Sequence, residues 1–260
     1  MRTVRELFDL SGSVALVTGG GRGLGEQIAR GLAQAGAAVA VGSRSAEACA
    51  DVARELAEEY GARTLALRLD VSSEDDVKAV VQQVEAELGP VDLLVNNSGT
   101  SWGAPAAEMP LEAWHKVMEV NATGAFLCCR EVGRRLIARG APGAILNVAS
   151  IAGLTGSPPE VLDAVGYAAS KGAVIALTRD LAVKWARYGI RVNAVAPGFF
   201  PTKMTKVVLE RAEKAIARTV PLGRTGGDDE LMGAALFLLS PAGGYVTGQV
   251  LAVDGGLTAA

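Results

Sequence analysis

The stretch Ser13-Val-Ala-Leu-Val-Thr18-Gly19-Gly20-Gly21-Arg22-Gly23-Leu24-Gly25 decides the fold. Its first part, 13–18, is a short run rich in β-branched residues, which is typical of a buried strand. The glycines lead into a helical segment at 26–36. A strand, a glycine turn and a helix in that order can bind a pyrophosphate, because the backbone approaches closely and the helix N-terminus presents free N–H groups. The stretch therefore predicts an α/β dinucleotide-binding domain.

The glycine spacing leaves one alternative open. It is Gly-x-x-x-Gly-x-Gly rather than the commoner Gly-x-Gly-x-x-Gly, so a glycine turn without a ligand remains an alternative. The residues after the second strand, 37–41, bear on the choice of cofactor. Proteins that bind NAD usually place an acidic residue there, whereas this chain has Ser43 and Arg44, with Arg22 inside the glycine turn. Since arginine suits a phosphate, we expect NADP(H); the alternative is that both arginines are solvated surface charges.

Strands and helices alternate along the rest of the chain. We predict strands at 13–18, 37–41, 64–69, 91–95, 143–149, 189–195 and 249–254, and helices at 26–36, 46–60, 72–89, 111–119, 125–139, around Tyr167, and 228–239. This order predicts one α/β domain over 1–260, a Rossmann-like doubly wound parallel sheet of about seven strands with helices on both faces. Asn121 and Gly124 interrupt a helical run, so we expect a kink there.

Tyr167 and Lys171 form the strongest candidate for chemistry. In a helix of about 3.6 residues per turn, their spacing places both side chains on one face. We expect the ammonium to favour the phenolate and so to lower the tyrosine pKa, which gives an acid–base group near neutral pH. The alternative is an ordinary surface pair on a helix.

Composition excludes several classes of function. The net charge of −3 and pI near 5.4 show no basic patch for nucleic acid. The sequence shows no signal peptide and no apolar run of about 20 residues, so we expect a cytoplasmic protein without a membrane span. The three cysteines lack metal-ligand spacing and predict reduced thiols. The single histidine, His115, predicts no metal site.

Taken together, the motifs resemble the short-chain dehydrogenase/reductase family over the whole chain. The matching features are Thr18-Gly-x-x-x-Gly-x-Gly25, Asn96-Asn-Ser-Gly99, Asn121, Ser150, Tyr167-x-x-x-Lys171 and Pro197-Gly198. Ser98 stands where the family usually has alanine, a small change. The separation between Ser150 and Tyr167 is also longer than usual, so we expect a substrate loop near 151–166. We also expect a lid near 199–220.

The resemblance implies roles for individual residues. Tyr167 is the general acid or base, Lys171 holds the nicotinamide ribose and lowers the tyrosine pKa, Ser150 binds the substrate oxygen, and Asn121 holds a water that links Lys171 to solvent. The cofactor-binding residues implied are Gly19, Gly21, Arg22, Gly23, Leu24, Gly25, Ser43, Arg44, Asp70, Val71, Asn97, Ser98, Gly99, Tyr167, Lys171, Pro197, Gly198, Phe200 and Thr202. The family commonly forms homotetramers, so we expect one here.

The substrate is the least determined feature. The stretches Ser101-Trp102-Gly103-Ala104 and 197–204 are expected to line the mouth of the site and, with Ile151, Leu154 and Val161, to form a mainly apolar pocket that suits an acyl chain. Core or lid packing is the alternative for Trp102. The sequence resembles 3-oxoacyl reductases, which implies NADPH-dependent reduction of a 3-oxoacyl thioester of coenzyme A or acyl carrier protein. It also resembles gluconate 5-dehydrogenase-like members, which implies a polyol or sugar-acid dehydrogenase. A non-catalytic NADP-binding regulator is the alternative from another class.

Overall fold

The computed structural model describes residues 1–202 and 218–260. Its strands are β1 (Val14–Thr18), β2 (Ala38–Ser43), β3 (Thr64–Arg68), β4 (Leu93–Asn96), β5 (Gly143–Val148), β6 (Ile190–Pro197) and β7 (Val250–Val253). They form one seven-stranded sheet in the order β3-β2-β1-β4-β5-β6-β7, and every neighbouring pair is parallel. The order reverses between β1 and β4, which confirms the predicted doubly wound sheet.

Helices connect the strands on both faces of the sheet. They are α1 (Val4–Phe8), α2 (Gly23–Gln34), α3 (Ala46–Tyr60), α4 (Glu74–Glu87), α5 (Leu111–Met118), α6 (Gly124–Ala138), α7 (Val165–Trp185) and α8 (Met232–Leu239). Three of these depart from the sequence prediction. The short helix α1 was missed, α2 begins directly in the glycine turn, and the helix predicted at 228–239 begins only at Met232. Most of the predicted lid, 203–217, lies outside the described residues.

Two hydrophobic layers hold the helices against the sheet, and strand β1 shows how one strand serves both. Ala15 and Val17 pack with the cluster beneath α2, α3 and α8, whereas Val14 and Leu16 pack with the cluster beneath α4, α6 and α7. Successive strand residues point to opposite faces, so a strand covered on both sides must be apolar throughout. Each fully buried leucine such as Leu16 stabilises the fold by about 1.5–3 kcal/mol.

The predicted kink between α5 and α6 is a π-helical turn at Glu119–Thr123. It turns Asn121 inward, where the side chain is only 2% exposed. The next residue, Gly124, has no room for a side chain, because a Cβ there would lie 2.7 Å from Cγ2 of Val71 in the loop after β3. A π-turn inside a helix often marks a functional site. Within residues 1–202 and 218–260, every helix falls short of the length or apolarity that a bilayer crossing requires.

Candidate active site

A cleft of about 930 Å³ opens at the carboxyl ends of the strands, across the point where the strand order reverses. Open α/β sheets bind ligands at this place. Most of the residues predicted to bind cofactor or to catalyse line the cleft. They are Gly19, Gly21, Arg22, Gly23, Leu24, Ser43, Arg44, Asp70, Val71, Asn97, Ser98, Gly99, Ser150, Tyr167, Lys171, Pro197, Gly198, Phe200 and Thr202. Gly25 and Asn121 are absent from the lining, and each has another role described below.

Hydrogen bonds fix the glycine turn to the end of β4. The Thr18 hydroxyl, on a residue only 1% exposed, accepts from the backbone N–H groups of Asn97 and Ser98, each at 3.1 Å. In return the Asn97 side-chain amide donates to the carbonyl oxygens of Thr18 at 3.1 Å and Gly19 at 2.9 Å. Sequence reasoning missed this role of Thr18, although its place at the end of a strand before the glycines was a signal.

Gly25 permits that arrangement rather than touching a ligand. A Cβ at this position would lie 2.3 Å from Nδ2 of Asn97 and 2.4 Å from the carbonyl oxygen of Gly19. Gly19 and Gly23 take φ values of 64° and 58°, in the left-handed region that favours glycine. Helix α2 then starts at Gly23 without a side-chain cap, so its first N–H groups face the cleft. The turn therefore fits a pyrophosphate at a helix N-terminus.

Arg22 and Arg44 flank the part of the cleft formed after β2. Both side chains are exposed and line the cleft together with Ser43. In the described part of the chain neither guanidinium makes an ion pair, although the charge of Arg44 contributes to lowering the pKa of Asp70, after the larger effect of the Ser72 hydrogen bond. Two cations with donors left available fit the binding of a phosphate monoester. The Ser43 hydroxyl is already engaged, since it donates to the carbonyl oxygen of Ser45 at 3.0 Å.

Tyr167, Ser150 and Lys171 meet at the centre of the cleft. The Ser150 hydroxyl lies near the Tyr167 phenol and accepts from the Ala152 N–H at 3.2 Å. The Lys171 ammonium, on a residue 5% exposed, donates to the Val148 carbonyl oxygen at 2.7 Å and lies 5.7 Å from the centre of the Tyr167 ring. The short turn after Ser150 packs tightly on α7, because a Cβ at Gly153 would lie 2.7 Å from the backbone of Lys171. This contact brings the three side chains together.

The predicted lowering of the Tyr167 pKa is wrong for this arrangement. Burial raises the pKa of the phenol, and the nearby Ser150 hydroxyl offsets this rise only in part. Burial also lowers the pKa of the Lys171 ammonium to about 8. Both shifts have the same cause, since a poorly solvated site disfavours the charged form of either group. At neutral pH the tyrosine is therefore a proton donor rather than a phenolate.

Asn121 lies behind the cleft wall instead of lining it. Its Nδ2 donates to the Thr100 carbonyl oxygen and to the Ser170 hydroxyl, both at 2.9 Å, and its Oδ1 accepts from the Thr100 N–H at 2.8 Å. Both amide hydrogens are thus used by the protein. A water held by Asn121, as the resemblance implies, must bind through one of its oxygen atoms.

The C-terminal part of the chain closes the side of the cleft at Pro197 and Gly198. The Gly198 N–H donates to the Val253 carbonyl oxygen at 3.0 Å, and a Cβ at Gly198 would lie 2.8 Å from Asp254. The Asp254 carboxylate accepts from the N–H of Gly256 at 3.0 Å and of Thr258 at 2.8 Å. The Phe200 ring packs against Gly226, which has room for no Cβ.

The residues predicted to form the substrate pocket divide into two groups. Ser101, Gly103, Pro197, Gly198, Phe200 and Thr202 line the cleft. Trp102, Ile151, Leu154 and Val161 do not line the cleft, and Trp102 and Leu154 are 47% and 39% exposed. The lining residues that sequence reasoning missed are Ser45, Ala48, Leu69, Val120, Val148 and Ala149. Within residues 1–202 and 218–260 no group of three or more His, Cys, Asp or Glu side chains could hold a metal ion.

The loop after β4 and the loop before α7 are joined near the cleft. The Ala104 N–H donates to the Asp163 carbonyl oxygen at 2.9 Å, and Ala104 pairs with Ala164 as an isolated parallel bridge. The predicted substrate loop near 151–166 is therefore attached to the wall that contains Ser101 and Gly103.

All three cysteines, Cys49, Cys128 and Cys129, are buried and free.

Comparison with known proteins places these features in context. Residues 19–258 match the family model described as enoyl-(acyl carrier protein) reductase. A galactitol 2-dehydrogenase (L-tagatose-forming) of Cereibacter sphaeroides is 44% identical over 98% of this chain and 98% of its own. A rhamnolipids biosynthesis 3-oxoacyl-[acyl-carrier-protein] reductase of Pseudomonas aeruginosa is 40% identical over 96% and 97%.

Solved structures agree with the sequence relatives. The fold matches a gluconate 5-dehydrogenase from Burkholderia cenocepacia, crystallised in complex with NADP and tartrate, with a TM-score of 0.93 and 41% identity over 99% of this chain and 100% of that one. Other relatives carry the names gluconate 5-dehydrogenase, 2-dehydro-3-deoxy-D-gluconate 5-dehydrogenase and 5-keto-D-gluconate 5-reductase. One more is a 3-oxoacyl-[acyl-carrier-protein] reductase.

Proposed function

The chain belongs to the short-chain dehydrogenase/reductase family, as an oxidoreductase of alcohols and ketones, and we propose that it interconverts a secondary alcohol and a ketone of a polyol or sugar acid with NADP(H). The resemblance to 3-oxoacyl reductases favoured a different substrate, an acyl thioester. The comparisons support the sugar-acid alternative better, since the galactitol and gluconate enzymes dominate among the relatives.

The similarity to sugar and sugar-acid enzymes carries the choice of substrate class, and the cleft wall is compatible with it. Thr100, Ser101 and Gly103 line the cleft and offer hydroxyl and backbone groups, whereas the side chains of Trp102, Ile151, Leu154 and Val161 lie outside it. Hydroxyl and backbone groups can pair with the several hydroxyls of a polyol. An acyl chain would instead need a continuous apolar surface.

The reacting groups divide the chemistry among them. Bound NADPH supplies the hydride for reduction of the ketone. Tyr167, a neutral phenol at pH 7, donates its proton to the carbonyl oxygen and takes it back in the oxidation. Ser150 donates a hydrogen bond to the same oxygen and stabilises the charge that develops there. Lys171, whose ammonium lies 5.7 Å from the centre of the Tyr167 ring, returns the proton through a water that an oxygen atom of Asn121 holds and that connects the ammonium to solvent.

The preference for NADP over NAD follows from Arg22 and Arg44. Both line the cleft after β2, where they can bind the 2′-phosphate, and no acidic residue follows β2 to hold a 2′-hydroxyl. Gly19, Gly21 and Gly23 would hold the diphosphate at the start of α2. Asp70 and Val71 would flank the adenine, and Pro197, Gly198 and Thr202 would hold the nicotinamide amide.

A specific observation supports reduction of a 3-oxoacyl thioester as the second candidate. The rhamnolipid enzyme is 40% identical over nearly the whole chain, close to the values for the sugar enzymes. In this candidate the exposed side chains of Trp102 and Leu154 at the rim contact the acyl chain. The reacting groups and the cofactor are the same in both candidates.

Steady-state kinetics with a mixed panel tests the proposal. Oxidation of D-gluconate and galactitol is followed with NADP⁺ and NAD⁺, and reduction of 5-ketogluconate and acetoacetyl-CoA with NADPH and NADH. We expect the highest kcat/KM for a polyhydroxylated substrate with the phosphorylated cofactor. A higher kcat/KM for acetoacetyl-CoA would establish the second candidate instead. NADPH binding without turnover of any carbonyl would indicate the non-catalytic regulator.

Exposed apolar side chains support assembly into a homotetramer. Phe126 on α6 is 41% exposed, Val183 on α7 is 81% exposed, and Leu251 on the edge strand β7 is 39% exposed. Burial of such side chains against a second copy is favourable by about 25 cal/mol per Å². Light scattering is expected to give four times the 26.6 kDa of one chain. A mass of one chain would refute the assembly and leave the proposed chemistry unaffected.

A further inference from the structure

Ser170 has a fully buried hydroxyl that lies between Tyr167 and Asn121 and does not line the cleft. It lies in α7, one position before Lys171, and has no exposed surface. Its Oγ donates to the Tyr167 carbonyl oxygen at 2.7 Å and accepts from Nδ2 of Asn121 at 2.9 Å. One hydroxyl thus joins the first turn of α7 to the π-helical turn that contains Asn121.

We propose that Ser170 is a positioning residue for the reaction. Its hydroxyl holds the Asn121 side chain, and Asn121 in turn holds Thr100 and the cleft wall beside Lys171 in the arrangement that turnover requires. This proposal rests on the proposed function, because it assigns Ser170 a role in the same catalytic site.

The first step from Ser170 to the cleft is the Asn121 carboxamide. Its two hydrogens go to the Ser170 hydroxyl and the Thr100 carbonyl oxygen, and its oxygen accepts from the Thr100 N–H. A carboxamide held at three points has one orientation. Without Ser170 one N–H has no partner in a buried place, which is an unfavourable state that the side chain can relieve by rotating.

The second step runs from Asn121 to the reacting groups. A Cβ built on Gly99 would lie 3.5 Å from Oδ1 of Asn121 and 3.8 Å from Nζ of Lys171, so all three groups converge at one point of the wall. Gly99 and Thr100 both line the cleft. A rotation of the carboxamide therefore moves the backbone beside the Lys171 ammonium, and misplacement of reacting groups by about 1 Å can slow a reaction about a hundredfold.

Thr178 offers a matched control in the same helix. It too has no exposed surface, donates back to a carbonyl oxygen of its own helix (Val174, 2.8 Å), and accepts from an asparagine Nδ2 (Asn147, 2.9 Å). Neither Thr178 nor Asn147 lines the cleft. The loss of either hydroxyl should therefore affect folding in a similar way, whereas only the loss of Ser170 should affect the reaction.

The experiment compares Ser170→Ala, Ser170→Thr and Thr178→Ala with the wild-type chain and with Tyr167→Phe. For each we measure the Tm, kcat and KM for NADPH and the best substrate of the panel, well below the Tm. Hydrogen–deuterium exchange of the peptide that contains Thr100 is measured in the absence of substrate. Ser170→Thr keeps the hydroxyl, and Thr178 shows that threonine makes this pair of contacts in α7.

We expect Ser170→Ala to lose about tenfold in kcat while KM for NADPH changes little, because the glycine turn and arginines that hold the cofactor lie on other elements. The Thr100 amide should exchange faster in this variant. Ser170→Thr should regain most of the kcat, and Thr178→Ala should lower the Tm without either effect.

Other results would overturn the proposal in distinguishable ways. Wild-type kcat and Thr100 exchange in Ser170→Ala, beside an inactive Tyr167→Phe, would refute positioning by Ser170 and leave the proposed function standing. Equal kinetic losses in Ser170→Ala and Thr178→Ala would show a purely structural role. Full activity of Tyr167→Phe would refute the proposed function, and the Thr100 exchange would still report whether Ser170 holds the wall.

Discussion

Replacing Gly25 with alanine is the sharpest test of how the glycine turn is built. The new Cβ would lie 2.3 Å from Nδ2 of Asn97 and 2.4 Å from the Gly19 carbonyl oxygen, far inside normal contact distance. Asn97 cannot simply withdraw, because that nitrogen donates to the Thr18 and Gly19 carbonyl oxygens. The substitution must therefore shift either the turn or the end of β4.

The structure sets the size of the effect. Alanine is favoured over glycine in a helix by about 1 kcal/mol. Against this, overpacking costs about 1–3 kcal/mol and each lost Asn97 hydrogen bond about 1 kcal/mol. The free energy of unfolding should then fall by about 2–4 kcal/mol, which lowers the Tm by roughly 5–15 °C in a domain of this size.

Gly233→Ala in α8 is the matched control, because a Cβ there meets nothing within 4 Å. Thermal unfolding of both variants at one protein concentration should show Gly25→Ala destabilised and Gly233→Ala unchanged or slightly stabilised. A fluorescence titration should show the Kd for NADPH raised about tenfold in Gly25→Ala, since the turn that holds the diphosphate has moved. Equal Tm and Kd values in the two variants would refute the close packing described for Gly25.

Three further results are expected from the reacting groups and the arginines. Tyr167→Phe should lower kcat by about 10²–10⁴ and leave NADPH binding intact, as measured by steady-state kinetics and titration; unchanged turnover would disprove its acid–base role. The double substitution Arg22→Ala/Arg44→Ala should reduce the NADPH-over-NADH ratio of kcat/KM about 10- to 100-fold, and an unchanged ratio would place the 2′-phosphate elsewhere. The pKa of Lys171 is about 8 in the folded protein and 10.5 in the unfolded chain. Between these two pH values the unfolded state binds more protons than the folded state. The contribution of Lys171 to the free energy of unfolding therefore rises with pH from about 8 to 10.5. Urea unfolding at pH 7.5 and 9.5 should show a smaller rise in Lys171→Met than in the wild-type chain, and an identical rise in both would contradict the burial of the ammonium.

The sequence predicted the sheet because each strand carries its own signal. Continuous apolar runs that end in small polar residues require neither long-range information nor a ligand to be recognised, and all seven strands appear close to their predicted bounds. The N-terminal helix α1 was missed because its five residues form too short a segment for a helical period to show.

Most of the residues that line the candidate site could be named from the sequence, whereas the direction of the pKa shift at Tyr167 could not. Spacing places Tyr167 and Lys171 on one helix face, but it does not reveal how strongly burial acts on both groups. The pKa direction for the phenol was therefore wrong. Likewise, the apolar character of Trp102 and Leu154 gave no information on which way the loops turn them. Long-range contacts such as the Thr18–Asn97 hydrogen bonds have no local signal in the sequence.

The bridge between Ala104 and Ala164 has a practical consequence for engineering. The two loops that it joins are separate in sequence but are held together in the structure by the bridge and by the Ala104–Asp163 hydrogen bond. Grafting either loop alone from a relative of different specificity would break the pairing and leave both loops misplaced. A transplant that includes both segments keeps the bridge, so the two loops are best exchanged together.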